Sequence, residues 1–440
     1  MTTTGSPALR SAEVPVRWRK YTDPFVLTVL SVYLAARAFS ALLLVVLTRY
    51  QVAVSWTGPE VNYGTIVGLW DAGWYQEIAT KGYPGTLPRD PDTGELQQNP
   101  WAFYPLFPMM TRLLMAVTGA PFPITGAVLA FVLGGVAAVA MAFLLRDRIG
   151  SGSAVAAVAV WSTCAPSPVL QVAYTESLAI LLLVLVLSHL DQERWWWAAG
   201  TAFLTGLARP IAVPLGLVAV VAVVMRWRAR SVRPIPREEY IGMAGALGGC
   251  GLAGLTWPMI AWWGTGIRTA YTDTMATWRQ GQDIVPLQPW VGISHYLFGQ
   301  AGPLALAALV VLVVGVASGP WASRLGPVMR AWILAYPLYL AVVLDPGTSV
   351  FRYLLPCFPW AAIAVDAAWR GRRRRRLEER ATAAEGPGTA GYGESIVETR
   401  TPSRLRLWSL TAGWVLFGLA TQWWWLYELW RFVPPSDFPP

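Results

Sequence analysis

Eleven apolar blocks punctuate the chain, at residues 25–48, 124–145, 152–167, 175–190, 195–208, 210–226, 241–263, 301–319, 327–343, 354–369 and 405–429. A helix needs about 20 predominantly apolar residues to cross the hydrocarbon core of a bilayer. In lipid, each backbone N–H and C=O must find its partner inside the protein, which restricts spanning segments to helices and closed barrels. Blocks this long, without period-two alternation, predict an all-α membrane protein: a polytopic helical bundle of about eleven transmembrane helices, with juxtamembrane helices on its outer side. Composition agrees. Only 13% of the 440 residues are charged, about half the share of an ordinary soluble domain, and mean hydropathy is +0.43.

The net charge of +9 does not point to nucleic acid, because the arginines sit at the ends of apolar blocks, where they report topology. The polar, basic segment 1–24 (Arg10, Arg17, Arg19, Lys20) places the N-terminus in the cytoplasm. The block after it is too long for a signal-peptide core and lacks a small-residue cleavage site, so it reads as a retained first span. Residues 25–369 form the membrane core, with outer loops at 49–103 and 264–300. Residues 370–404 read as a basic, flexible cytoplasmic linker, and 405–440 as the last span with an outer tail. The piece 104–118 is short for a span and reads as a juxtamembrane or re-entrant helix outside. Left there, the two strongest basic clusters, RWRARSVRP at 226–234 and RGRRRRR at 370–376, both fall inside. Counted as a span, it would put one or both outside. The stretch 195–226 is either one bent helix or two short ones broken at Arg209-Pro210.

Many of the 25 Trp lie at block ends, the depth indole rings prefer. Cys164, Cys250 and Cys357 have no metal-ligand spacing and read as packing residues. His189 and His295 are too few and too far apart to suggest a metal site. No metal and no cofactor is expected.

On this topology the unusual polar residues collect on one side. In W-D-A-G-W-Y-Q-E-I-A-T-K-G-Y, residues 70–83, Trp70, Trp74 and Ile78 recur every four residues and form an apolar helix face. Asp71 and Tyr75 share the adjacent face. A carboxylate held among aromatic rings suits a general base acting on a sugar hydroxyl, with the rings stacked on sugar faces. The same pattern also describes an interfacial helix with a solvated Asp. N-P-W-A-F-Y-P-L-F-P at 99–108 is a proline-bent aromatic segment, as much a turn towards the membrane as a site. Glu176, after Tyr174 at the start of an apolar block, is either a functional carboxylate at membrane depth or an N-terminal helix charge. Arg209, between two apolar segments, needs a partner, either a carboxylate or a ligand. Arg352 could hold a phosphate by forked hydrogen bonds with Tyr353 beside it, or could snorkel to the headgroups. The loop 264–300 carries Arg268, Asp273, Trp278, Arg279, Asp283 and His295 and reads as a cap without assigned roles.

W-D-A-x-x-Y-x-x-I-A-x-x-G-Y followed by N-x-A-F-Y-P-L-F-P resembles the GPI mannosyltransferase II family. That family has His and Phe where this chain has Trp74 and Tyr75, so any role of that His does not carry over. The S-P…Y-T-E-S-L segment and the Arg before Pro210 match more loosely. The resemblance implies a GT-C fold with a catalytic Asp in the first outer loop and a polyprenyl-phosphate-sugar donor, mannose above all. Carried over by position, it makes Asp71 the catalytic residue and Glu176 the second acidic position. It leaves Trp70, Trp74, Tyr75, Tyr83, Tyr104, Tyr174, Arg209, Arg352 and Tyr353 as the expected substrate-binding set, Arg352 on chemical grounds alone. The expected partners are the lipid donor, a glycolipid, glycan or protein acceptor, and membrane lipids, in the cytoplasmic (inner) membrane with the active site outside. Three rivals stand beside this reading: a transporter or flippase of lipid-linked sugars, a non-catalytic membrane scaffold, which the presence of Asp71 disfavours, and the same fold using a glucose or pentose donor.

Overall fold

The computed structural model describes residues 23–54, 57–279, 284–367, 404–434 and 440. The 1–24 tail, apart from its last two residues, Asp283 and nearly all of the 370–404 linker, with its RGRRRRR cluster, lie outside these. Among the described residues there is no strand; helices carry the whole architecture. Among the described residues, six helical stretches are long and apolar enough to cross a membrane: Pro24–Leu47, Phe122–Ile149, Ala212–Ser231, Arg237–Thr265, Gln288–Ser318 and Pro320–Val343.

The helices used below are α1 (Pro24–Leu47), α2 (Tyr63–Val67), α3 (Asp71–Lys81), α4 (Leu106–Thr118), α5 (Phe122–Ile149), α6 (Ser151–Thr163), α7 (Glu176–Asp191), α8 (Trp195–Thr205) and α9 (Ala212–Arg228). They continue with α10 (Arg237–Thr265), α11 (Ala270–Thr277), α12 (Gln288–Phe298), α13 (Gly302–Ser318), α14 (Gly326–Val343), α15 (Val350–Tyr353), α16 (Pro359–Ala362) and α17 (Arg404–Trp425). Asp23 starts α1 by accepting the Phe25 amide at 2.9 Å, and Pro24 fills the position where a missing N–H costs nothing.

The core lies around α5, α6 and α7. Helices α6 and α7 are apolar on every face and buried on nearly every face, as a helix surrounded by protein must be. Helix α5 packs on α6 and α7, α1 and α17 pack on α6, α8 bridges α7 and α10, and α9 lies between α10 and α14. The pair α12–α13 keeps most of its apolar surface exposed.

Several expected boundaries move. The 104–118 segment is the short apolar helix α4, 13 residues long. The stretch 195–226 is two helices, because Pro210 has no N–H to continue a ladder and residues 206–211 leave the helical path between α8 and α9. Residues 288–298, placed in the outer loop 264–300, are helical and run on into α13 through a break at Gly299, whose φ is +57°. The blocks at 152–167, 175–190 and 195–208 form helices of only 13, 16 and 11 residues. The last block, α17, has length enough but opens on Arg404 and Arg406.

Candidate active site

Four charged residues from four separate segments meet in one chain of ion pairs. Asp71 is the first residue of α3, and its Oδ2 lies 2.7 Å from Arg352 Nη2. Arg352 Nη1 donates to Glu176 Oε1 at 2.9 Å, and Arg209 Nη2 donates to the same oxygen at 3.0 Å. The formal charges cancel, which a low-dielectric site requires. Asp71 is the most exposed of the four: its side chain keeps 15% of its exposure, against 9% for Arg209, 3% for Arg352 and none for Glu176. Arg352 is therefore no headgroup-snorkelling residue, and Glu176 is no solvated helix charge.

Local structure explains each placement. Trp70, ahead of α3, has φ +59° and ψ −125°, a conformation that costs an L-residue of order 1–3 kcal/mol. It is held there by its indole, which donates to the Trp430 carbonyl at 2.7 Å and packs edge-on against Phe432. The turn points the Asp71 amide at the Tyr174 hydroxyl, which accepts it at 3.0 Å. Tyr174 and Glu176 follow the 3-10 turn Ser167–Gln171, and the Ala173 amide bonds to the Val67 carbonyl at 3.0 Å. Arg209 occupies the α8–α9 break, where Thr175 Oγ1 donates to the Ala208 carbonyl at 3.3 Å. Arg352 sits on the single-turn helix α15. Its guanidinium lies over the rings of Tyr174 and Tyr353, and that of Arg209 lies over Tyr353. Glu176 Oε2, Arg209 Nη1 and Arg352 Nε are buried with no hydrogen-bond partner among the described residues. The cluster thus retains donor and acceptor capacity.

Aromatic rings border Asp71. Trp74 stacks on Phe103 at 5.7 Å and 16°, and Trp278 meets both edge-on. Tyr75 packs against Phe103, Phe107 and Tyr174. Burial first, then the charges of Glu176 and Asp71, pushes the Tyr75 phenol well above its ordinary value, and burial does the same for Tyr174. Both hydroxyls stay protonated.

The buried face of α3 is Ala72, Tyr75, Ile78 and Ala79. Of the expected apolar stripe, Ile78 is buried and Trp70 and Trp74 are half-buried, while packing of α3 on α4 and α5 puts Tyr75 inside. Of the expected set, Asp71, Glu176, Arg209, Arg352, Tyr174 and Tyr353 touch one another. Trp70, Trp74 and Tyr75 flank them. Tyr83 and Tyr104 do not join the cluster. Tyr83 stacks on Trp101 at 4.6 Å and donates to the Phe103 carbonyl at 2.9 Å. Tyr104 bonds the Tyr271 hydroxyl at 3.0 Å. They belong to a second aromatic group with Trp257 that fastens α11 to the first loop. There the Asn99 amide also donates to Thr274 Oγ1 at 3.1 Å.

Sequence reasoning missed Phe103, Trp278 and Trp430 as components. Trp278 carried no distinguishing signal. Trp430 lies in the W-W-W-L-Y-E-L-W-R-F run at the end of the last apolar block, 360 residues beyond Trp70 in the chain. The chain has no match among protein-family models and no significant match among curated proteins.

Proposed function

We propose that the protein is a membrane glycosyltransferase of GT-C type. By the resemblance of its first loop, it would transfer mannose from a polyprenyl-phosphate donor to an acceptor hydroxyl on the outer face of the cytoplasmic membrane. The observation that carries this reading is the Asp71–Arg352–Glu176–Arg209 chain, most open at Asp71, with Trp74, Phe103 and Trp278 grouped beside α3. A glycosyl transfer needs a base for the acceptor, a cation for the departing phosphate and flat apolar surfaces for sugar rings, and each has a candidate here.

In this reading the donor phosphate takes the Nη2 arm of Arg352 from Asp71, and Glu176 and Arg209 hold the guanidinium in place. Asp71, released from its ion pair, accepts the proton of the acceptor hydroxyl. The acceptor oxygen forms the new bond to the anomeric carbon from the face opposite the phosphate. The old carbon–oxygen bond breaks, its electron pair leaves with polyprenyl phosphate, and the configuration inverts. The transition state has oxocarbenium character, as in glycoside hydrolysis.

The test is incubation of the purified protein with radiolabelled polyprenyl-phosphate-mannose and a membrane-lipid extract. Asp71→Asn is expected to lower transfer by about two to four orders of magnitude, the share a general base supplies, with donor binding retained. Near-normal turnover in Asp71→Asn sinks the base assignment. No transfer by either protein from mannose, glucose or pentose donors, together with flipping of lipid-linked sugar in proteoliposomes, would replace this reading with the transporter.

A further inference from the structure

Arg37 sits in the middle of α1, away from the cluster above, and is 2% exposed. Its guanidinium donates to the Ser162 and Ser167 carbonyls and, at 3.0 Å, to Ser167 Oγ. Gln422 donates to Ser167 Oγ at 3.0 Å and to the Thr163 carbonyl at 2.9 Å, and Ser40 donates to Gln422 at 2.8 Å. Every one of these partners is neutral. Carbonyls at the C-terminal end of α6 suit a cation, but they leave a full positive charge uncompensated inside an apolar bundle. That is costly unless a counter-charge arrives. No described carboxylate pairs with Arg37, and its Nε is buried without a partner.

Beside Arg37 lies a groove of about 490 Å³ between α1 and α5. Its polar end is Arg37, Tyr63 and Gln171, and its walls are aliphatic and aromatic, among them Leu34, Val128 and Phe131. Leu34 and Val128 are about half exposed, so the groove opens sideways, where a bilayer would lie.

We propose that this groove binds one anionic phospholipid of the surrounding bilayer, its phosphate neutralising Arg37 and an acyl chain lying along α1 and α5. An apolar trough bordered by Arg37, whose buried charge has no carboxylate partner among the described residues, matches an amphipathic anion and not a free sugar or a neutral lipid. The groove shares no residue with the Asp71–Arg352 cluster, so the phosphate assigned to Arg352 above is a different one. The proposal does not depend on the glycosyltransferase reading.

The test is native mass spectrometry of the full-length protein released from phosphatidylcholine nanodiscs containing a minor fraction of phosphatidylglycerol. One phosphatidylglycerol is expected to be retained with about tenfold preference, in keeping with one charge-assisted contact. Val128→Trp, at a half-exposed wall, is expected to lose that lipid while folding normally, and Arg37→Gln to lose the preference for the anionic headgroup. Retention unchanged in Val128→Trp, or no preference in the wild type, overturns the site. Displacement of the lipid by excess inorganic phosphate would show a free-anion site and overturn the lipid assignment.

Discussion

Glu176 holds two guanidinium groups with one oxygen and has no exposed surface. Replacing it with Gln leaves Arg209 and Arg352 buried with Asp71, which pairs only with Arg352, as the one negative charge of the cluster. Breaking a buried pair from one side costs about 3–5 kcal/mol, so Glu176→Gln is expected to lower the melting temperature in detergent well below that of Asp71→Asn. Asp71 keeps a path to solvent, and its loss is cushioned. Equal melting temperatures would mean that Glu176 is not the keystone of the cluster. The double variant Glu176→Gln/Arg209→Gln restores charge balance and is expected to recover part of the loss. All four charged members stood out in the sequence: Asp71 by its aromatic motif, Glu176 at the start of an apolar block, and Arg209 and Arg352 in short gaps between apolar blocks, where a charge needs a partner. Their pairing did not, since Asp71 and Arg352 lie far apart in the chain and a pairwise contact leaves no trace in one sequence. Tyr83 and Tyr104 shared a motif with the site residues and still went elsewhere: aromatic packing around Trp257 claimed them.

At the level of helices, length and hydropathy located nearly every helical block, yet among the described residues six stretches have the length and apolar content to cross a membrane. Hydropathy reports an apolar environment and does not distinguish lipid from protein. Helices α6, α7 and α8 are apolar because they lie inside or against the bundle, and such helices can be short. The α8–α10 contact illustrates what holds them. A Cβ at Gly249 would sit 2.7 Å from the Ala199 carbonyl oxygen, so glycine there lets two backbones meet, as small residues do between membrane helices. Gly249→Val is expected to force α8 and α10 apart at a cost of about 1–3 kcal/mol, read as a drop in melting temperature. At Gly251, where a Cβ meets nothing within 4 Å, Ala is expected to change little. If the two variants melt alike, the close approach is not what packs this pair.

For the whole molecule, we propose from the asymmetry of basic residues that the first loop lies outside and the Arg226–Pro234 segment inside. Gly85 and Ser231 are both exposed and lie on opposite sides of that arrangement. A cysteine at 85 is expected to react with an impermeant thiol reagent added to intact cells, and one at 231 only after lysis; the reverse pattern would invert the protein. Trp430 adds a temporal constraint. Its carbonyl braces the strained Trp70, its ring packs on Tyr174, and its indole donates to the Ile66 carbonyl at 3.0 Å. Ribosomes deliver it 360 residues after Trp70, so the first loop waits through the insertion of every helix in between. A nascent chain stalled before that point carries all four charged residues without the brace that aims Asp71. The arrangement around Asp71 is therefore complete only once the last described helix has been made.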